Sequence, residues 1–227
     1  MSRQQTADTL NITLADVTRT LARYLSLYRW RRPTYQTALL KSLGSLWQPD
    51  HRNVLDVGGG TGIMAQSIKE LFAVDRVVSV DVEDRFLDCL DIETRTYDGR
   101  TLPFADDCFD CVMLCNVLHH VPRAMRTSLL KECGRVAKTG AIYIKDHLAE
   151  SPLDHLQLSI LDVLGNVPFG GMVEASYLGM ADWRQLADAA GFRIAAQHGG
   201  RYRHGLMAGV FPNRLEVVMK WVCAMRA

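Results

Sequence analysis

The 227 residues are 48% hydrophobic and 22% charged, with a formal net charge of +1. That length suits one domain with a substantial core, and that composition excludes a disordered chain. The near-balance of charge removes any global reason to expect nucleic acid or an anionic membrane as a partner, and no apolar run approaches the roughly 20 residues of a bilayer span.

The N-terminal stretch MSRQQTADTLNITLADV lacks the charged-then-apolar pattern of a secretion signal, so a cytoplasmic location is expected. Apolar residues at 10, 14, 17, 21, 25 and 28 recur with helical spacing and predict an amphipathic helix over 9–30. Pro33 breaks it, and Thr34 to Trp47 reads as a second helix. Residues 1–50 are thus expected to form a helical cap on a core spanning 51–227. The exposed apolar character of the first helix leaves a homodimer open.

From residue 53 the pattern changes to short β-rich runs alternating with helices, the signature of a doubly wound parallel α/β sheet. Strands are expected at 53–57, 76–81, 94–97, 109–115 and 141–147, and helices at 62–72, 84–90 and 123–137. A turn is expected over Lys138 to Gly140. The region 148–180 fits this alternation poorly. It predicts a helix near 153–164, followed by a Gly/Pro-rich loop, and reads as a lid-like insertion. A helix over 181–190 and strands over 192–197 and 215–222 complete the chain.

The most specific stretch is Val54-Leu55-Asp56-Val57-Gly58-Gly59-Gly60-Thr61-Gly62, an apolar strand that ends in a glycine turn. Such a turn lets the backbone approach a ligand closely. It is not the dinucleotide fingerprint, whose third glycine would fall where Ile63 stands, and no Walker lysine follows. Asp81 closes the second strand, where a carboxylate can accept hydrogen bonds from a ribose diol or cap the next element. Asp98 follows the third strand within Tyr97-Asp98-Gly99, where it can accept from an adenine amino group or serve an ordinary turn. Cys108 and Cys111 have the spacing of half a zinc knuckle, but no second pair follows; all six cysteines read as reduced thiols and no metal is expected.

These pieces in this order, with Leu102-Pro103-Phe104, Phe109-Asp110, Asn116-Val117-Leu118-His119-His120-Val121 and Arg135 through Gly140, resemble the class I S-adenosylmethionine-dependent methyltransferases. Within that class they resemble the quinone-biosynthesis and small-molecule branch. The similarity runs from about residue 50 to 147, with two departures: Gly59 where a small thiol or hydroxyl residue is common, and Thr139 where proline is common. The resemblance implies a Rossmann-like, mostly parallel seven-stranded sheet with an antiparallel C-terminal strand. It also implies S-adenosylmethionine as cofactor. Asp56 and the loop Gly58, Gly59, Gly60 and Gly62 would hold its methionine end, and Asp81 its ribose. Asp98 and Gly99 would bind the adenine, Cys115 and Asn116 would border the sulfonium, and Val82 and Tyr97 are also expected among the cofactor-binding residues.

Methyl transfer to a hydroxyl also needs a base, and histidine titrates nearest neutral pH. His119, His120 and His147 lie near predicted strand ends. His147, on the same carboxyl rim as the cofactor loop and with Asp146 or Lys145 shaping its surroundings, is the expected base, and His120 is the second candidate. A small-molecule acceptor is expected between the rim, the first helices and the insertion. Tyr28, Phe169 and Tyr177 are its candidate lining, alongside Tyr24, Trp30, Met172 and Trp183. The expected activity is O-methylation of a small molecule in secondary metabolism. Transfer to nitrogen or carbon, or a catalytically silent cofactor-binding subunit, are the alternatives.

Overall fold

A computed structural model describes residues 10–166 and 175–224. Seven strands form one sheet: β1 (Asn53–Val57), β2 (Arg76–Asp81), β3 (Glu93–Thr96), β4 (Phe109–Cys115), β5 (Ala137–His147), β6 (Phe192–His198) and β7 (Glu216–Cys223). Their order across the sheet is β3-β2-β1-β4-β5-β7-β6. The first five are mutually parallel, and β7 runs antiparallel between β5 and β6. The central strands are nearly continuous apolar runs because helices cover both faces.

Alternation along each strand splits the core in two. Leu55, Val57, Val78, Val80, Val112, Leu114, Ile142 and Ile144 face α4 (Arg123–Val136) and α6 (Met180–Ala190), where Leu129, Leu130, Cys133 and Trp183 meet them. Val54, Val77, Cys111, Met113 and Tyr143 face the opposite way. There they meet Val17 and Leu21 of α1 (Leu14–Tyr24), Leu40 and Leu43 of α2 (Thr34–Gly44), and Ala65 and Ile68 of α3 (Ile63–Leu71). The first two helices therefore share a hydrophobic core with α3 and the sheet.

Several elements depart from the sequence reading. The single helix expected over 9–30 is divided. Thr13 and Asp16 form a capping box that starts α1, worth about 1 kcal/mol. The helix stops at Leu25, whose backbone is extended, and a separate 3-10 turn spans Ser26–Arg29. Apolar periodicity carried across the break because Leu25 and Tyr28 both turn inward, toward a cavity rather than along one helix face. No helix forms over 84–90. That segment folds back on the glycine turn, with Leu87 N–H donating to Thr61 O (3.2 Å) and Phe86 and Leu90 packed over Gly62. The turn at Lys138–Gly140 becomes a register shift within β5: Phe109 pairs with Ala137, but Cys111 pairs with Ala141. A short helix, α7 (Gly205–Val210), was not expected at all. The insertion contains α5 (Pro152–Asn166). The loop expected to act as a lid, including Phe169 and Met172, lies mostly outside the described residues. No helix among the described residues is long and apolar enough to cross a membrane.

Candidate functional site

Strand order reverses between β1 and β4, and a crevice opens at the carboxyl ends of the strands there, as open α/β sheets require. It is a cavity of about 510 Å³. Its floor is Gly58, Gly59, Gly60 and Thr61 with Asp81. Val82, Tyr97 and Gly99 extend one side, while Cys115, Asn116 and His120 come from the end of β4. Of the residues singled out from sequence, Asp56, Gly62, Asp98, His147 and Tyr177 do not line this cavity.

The glycine turn divides into packing and access. A Cβ on Gly59 would stand 1.9 Å from Ser79 Oγ and 2.8 Å from Asp56 Oδ2, so the buried Ser79–Asp56 hydrogen bond (2.7 Å) leaves no room for one. This accounts for glycine where the resembled family carries a small thiol or hydroxyl side chain. Gly60 is the opposite case. Its φ is +57°, it lines the cavity, and nothing lies within 4 Å of where its Cβ would stand. Backbone there is left free to touch a ligand. Gly62 starts α3 beneath Leu90 and Phe86, away from the cavity.

The three acids have three separate environments. Asp81 is almost wholly buried at the cavity floor; its carboxylate accepts from Gly60 N–H (2.7 Å) and Glu83 N–H (3.2 Å), which fixes the loop. Asp98 is exposed, and its Oδ1 accepts from Arg100 and Thr101 N–H, both at 2.9 Å, so its carboxylate closes its own turn. Asp56 sits beneath the loop at 1% exposure. Burial pushes its carboxyl up to about 7 and nearby Asp81 adds to this, against the stabilising Ser79 hydroxyl.

That shift has a consequence for stability. The folded chain keeps a proton on Asp56 that the unfolded chain has released, so stability falls as pH rises from about 4 to about 7, by as much as about 4 kcal/mol. Asp56→Asn is expected to flatten this component of the pH dependence, read as the difference between urea melts at about pH 5 and about pH 8. An unchanged difference would show that Asp56 is ionised throughout.

Behind the cavity wall lies a second group of polar side chains, all buried. His119 Nδ1 is 2.5 Å from Asp146 Oδ1, and its Nε2 is 3.6 Å from Asp162 Oδ2 on α5. His147, which the sequence placed on the rim, ends β5 inside this group: Nε2 is 3.5 Å from Asp162 Oδ1, and Nδ1 is 3.2 Å from Glu216 Oε2. Burial alone favours the neutral ring, but Glu216 outweighs it and His147 is pushed up to about 9. Tyr177 is buried against both rings and donates to Asp162 Oδ2 at 2.5 Å.

Lys145 is the other buried centre of charge, fully shielded from solvent. Its Nζ donates to Glu216 Oε2 (2.6 Å), Tyr35 Oη (2.5 Å) and Asn116 Oδ1, while Arg203 holds the other Glu216 oxygen. Burial works against the ammonium, yet Glu216 and the two tyrosines Tyr35 and Tyr202 hold its pKa above the usual lysine value. The contact to Asn116 matters for the cavity. Asn116 has φ +57°, uncommon for a residue with a side chain, and its N–H also donates to Lys145 O at 2.8 Å.

Of the aromatic residues proposed to surround an acceptor, Tyr28 lines the cavity. Tyr24 bonds to Glu70, Trp30 is 91% exposed and Trp183 is in the core. Leu25, Ile63, Arg85, Val117, Val121, Pro122, Met125 and Leu129 line the cavity unforeseen. Their signal in the sequence is weak, because apart from Arg85 they are ordinary apolar residues drawn from helix ends, helix faces and the turns after strands.

Residues 55–144 match the family described as methyltransferase domain. An uncharacterized methyltransferase from Mycobacterium leprae is 29% identical over 233 residues, covering 92% of this chain and 76% of that protein. The flavonoid 4'-O-methyltransferase of Glycine max is 26% identical over 145 residues, covering 62% of this chain and 40% of that enzyme. Among solved structures, the complex of the Haloferax volcanii Trm112 methyltransferase activator with a methyltransferase contains a chain of the same fold. The TM-score is 0.66 at 14% identity, covering 93% of this chain and 99% of that one. The cofactor of this class is S-adenosylmethionine, and the site fits it: an open backbone approach at Gly60, a buried carboxylate at Asp81, and Tyr97, Val82 and Val117 as apolar walls.

Proposed function

We propose that this class I S-adenosylmethionine-dependent methyltransferase passes the methyl group to a hydroxyl of a small molecule, with His120 as the base. The cofactor supplies a methyl group already activated on a sulfonium. Gly58, Gly59 and Gly60 with Cys115 and Asn116 would hold its methionine end, and Asp81 its ribose hydroxyls. Val82, Tyr97 and Gly99 would lie at its adenine. The quinone-biosynthesis and small-molecule branch is the part of the class that this reading favours.

The observation that carries the reading is that His120 lines the same cavity as the glycine loop and Asp81. A displacement in line with an activated methyl asks the protein chiefly for alignment, and alignment lowers a barrier by roughly 7–11 kcal/mol in favourable cases. Leu25, Tyr28, Val121, Pro122 and Met125 supply an apolar wall that orients a compact, partly aromatic acceptor and excludes water from it. The imidazole of His120 takes the hydroxyl proton as the oxygen attacks. His147 is the weaker candidate for base, since it stands behind the wall beside Glu216. The Glycine max relative, whose name records O-methylation of a flavonoid, is consistent with a hydroxyl acceptor.

A panel of phenols, polyketide-like alcohols and amines, incubated with S-adenosylmethionine and read by mass spectrometry for the gain of one methylene, tests the acceptor class. Methylation confined to amines or carbon acids would overturn O-methylation. With an acceptor in hand, His120→Gln is expected to cut kcat by about 100-fold or more while KM for the cofactor stays within about twofold. Unchanged kcat would remove His120 from the chemistry.

A further inference from the structure

We infer that His119, His147 and Asp162 form a binding site for one divalent transition-metal ion, which ties the inserted helix α5 to the sheet. These three offer donor atoms that all lie within 4.8 Å of one another, and all three residues are buried. They come from three separate parts of the fold: the segment after β4, the end of β5, and α5. Residues 119, 147 and 162 have no motif spacing, so nothing in the chain order groups them, and this proposal departs from the expectation from sequence that no metal is bound.

The geometry is that of ligands around a small cation. Asp162 Oδ2 is 3.6 Å from His119 Nε2, and Asp162 Oδ1 is 3.5 Å from His147 Nε2. Both separations exceed a normal N–H···O hydrogen bond. Each is close to the edge of a tetrahedron, about 3.3–3.4 Å, that metal–ligand bonds of 2.0–2.1 Å generate. The two contacts use different oxygens of Asp162, and with one donor atom per residue the set spans up to 4.8 Å, so binding one ion draws the ligands in by up to about 1.4 Å.

The second observation is independent of those distances. A metal-binding histidine usually turns its other ring nitrogen to a carboxylate or carbonyl, which orients the ring and strengthens it as a donor. His119 does so, with Nδ1 hydrogen-bonded to Asp146 Oδ1 at 2.5 Å. His147 Nδ1 lies within ion-pair distance of Glu216 Oε2, 3.2 Å, but without hydrogen-bond geometry, and both Nε2 atoms face Asp162. Asp146 is itself fixed, accepting from the N–H groups of Leu118 and His147. Tyr177, hydrogen-bonded to Asp162, closes over the two rings.

Two imidazoles and one carboxylate select zinc, iron, cobalt or nickel over magnesium or calcium, which prefer all-oxygen shells. The ion would sit behind the cavity wall rather than in it. His119 packs on His120 with ring centroids 4.0 Å apart, so the site would brace the residue assigned as base.

Titration of the chelator-stripped wild-type chain with Co²⁺ tests this without any variant. The expected result is one equivalent bound per chain, with visible d–d absorption, no intense thiolate-to-metal bands, displacement by Zn²⁺, and a higher Tm with Zn²⁺ present. Asp162→Asn should abolish that one-equivalent uptake, and Asp146→Asn should weaken it by about 10–100-fold. Absence of stoichiometric uptake by the wild-type chain would overturn the site. So would a thiolate-type spectrum, or undiminished binding in a folded Asp162→Asn chain. None of these readouts depends on methyl transfer, so the site and the proposed activity fail separately.

Discussion

Asp81→Ala is expected to weaken S-adenosylmethionine binding by about 100-fold or more in a chain that still folds. The carboxylate has two tasks. It accepts from Gly60 N–H at 2.7 Å, which holds the open glycine in place, and it is the acid at the cavity floor that would receive the ribose hydroxyls. A hydrogen bond to a charged group contributes about 1.5–3 kcal/mol, and each 1.4 kcal/mol is tenfold in affinity, so losing two such bonds reaches that factor. Calorimetry measures the affinity, and a thermal melt confirms the fold. Asp98→Asn is the informative partner, because Asp98 already spends its carboxylate on Arg100 and Thr101. An amide oxygen can keep those bonds, so its cofactor affinity should stay within about threefold of the unmodified chain. Equal losses from both changes would mean that the two acids share the ligand.

The second large effect is on stability. Lys145→Met should destabilise the chain by about 3–5 kcal/mol, since removing one partner of a buried ion pair leaves the other charged and desolvated. Glu216 would keep Arg203 but lose the 2.6 Å contact to Nζ, while Tyr35 and Asn116 would lose their donor. For a chain of this size about 2–4 °C of Tm corresponds to each kcal/mol, so a drop of roughly 6–20 °C is expected. Lys131→Met, at an exposed position of α4, should fall within about 0.5 kcal/mol of the unmodified chain. Similar melts for the two variants would show that Lys145 carries no net stability.

The contrast between these two sites marks what the sequence could reveal. Local chemistry was legible: β1 with its glycine turn, Asp81 closing β2, and the burial of Val54 through Val57 all follow from short runs whose neighbours in the chain are neighbours in space. The antiparallel β7 and the seven-stranded sheet followed from the family resemblance and are present. What the sequence hid is what depends on register between distant strands. His147 pairs with Glu216 across β5 and β7, and Lys145 pairs with Val218, so the acid that governs both side chains lies some 70 residues away. Lys145 and Asp146 embedded in Ile142 to Asp146 and Glu216 in Leu215 to Met219 were the available signs, since charge at an inward strand position demands a partner. Helix periodicity misled where tertiary contact won: the 84–90 segment gives its apolar side chains to Gly62, and Leu25 ends α1 to reach the cavity.

The central claim is that the loop and the acid after β1 and β2 hold S-adenosylmethionine. Amide hydrogen exchange with and without S-adenosylhomocysteine tests it most directly, because it reads the footprint residue by residue. Protection is expected at Gly58 to Thr61, at Asp81 and Val82, at Tyr97 to Gly99, and at Cys115 and Asn116, with the edge strand β6 unchanged. Saturation that leaves Gly58 to Thr61 and Asp81 exchanging as before, or protection concentrated elsewhere, would contradict it.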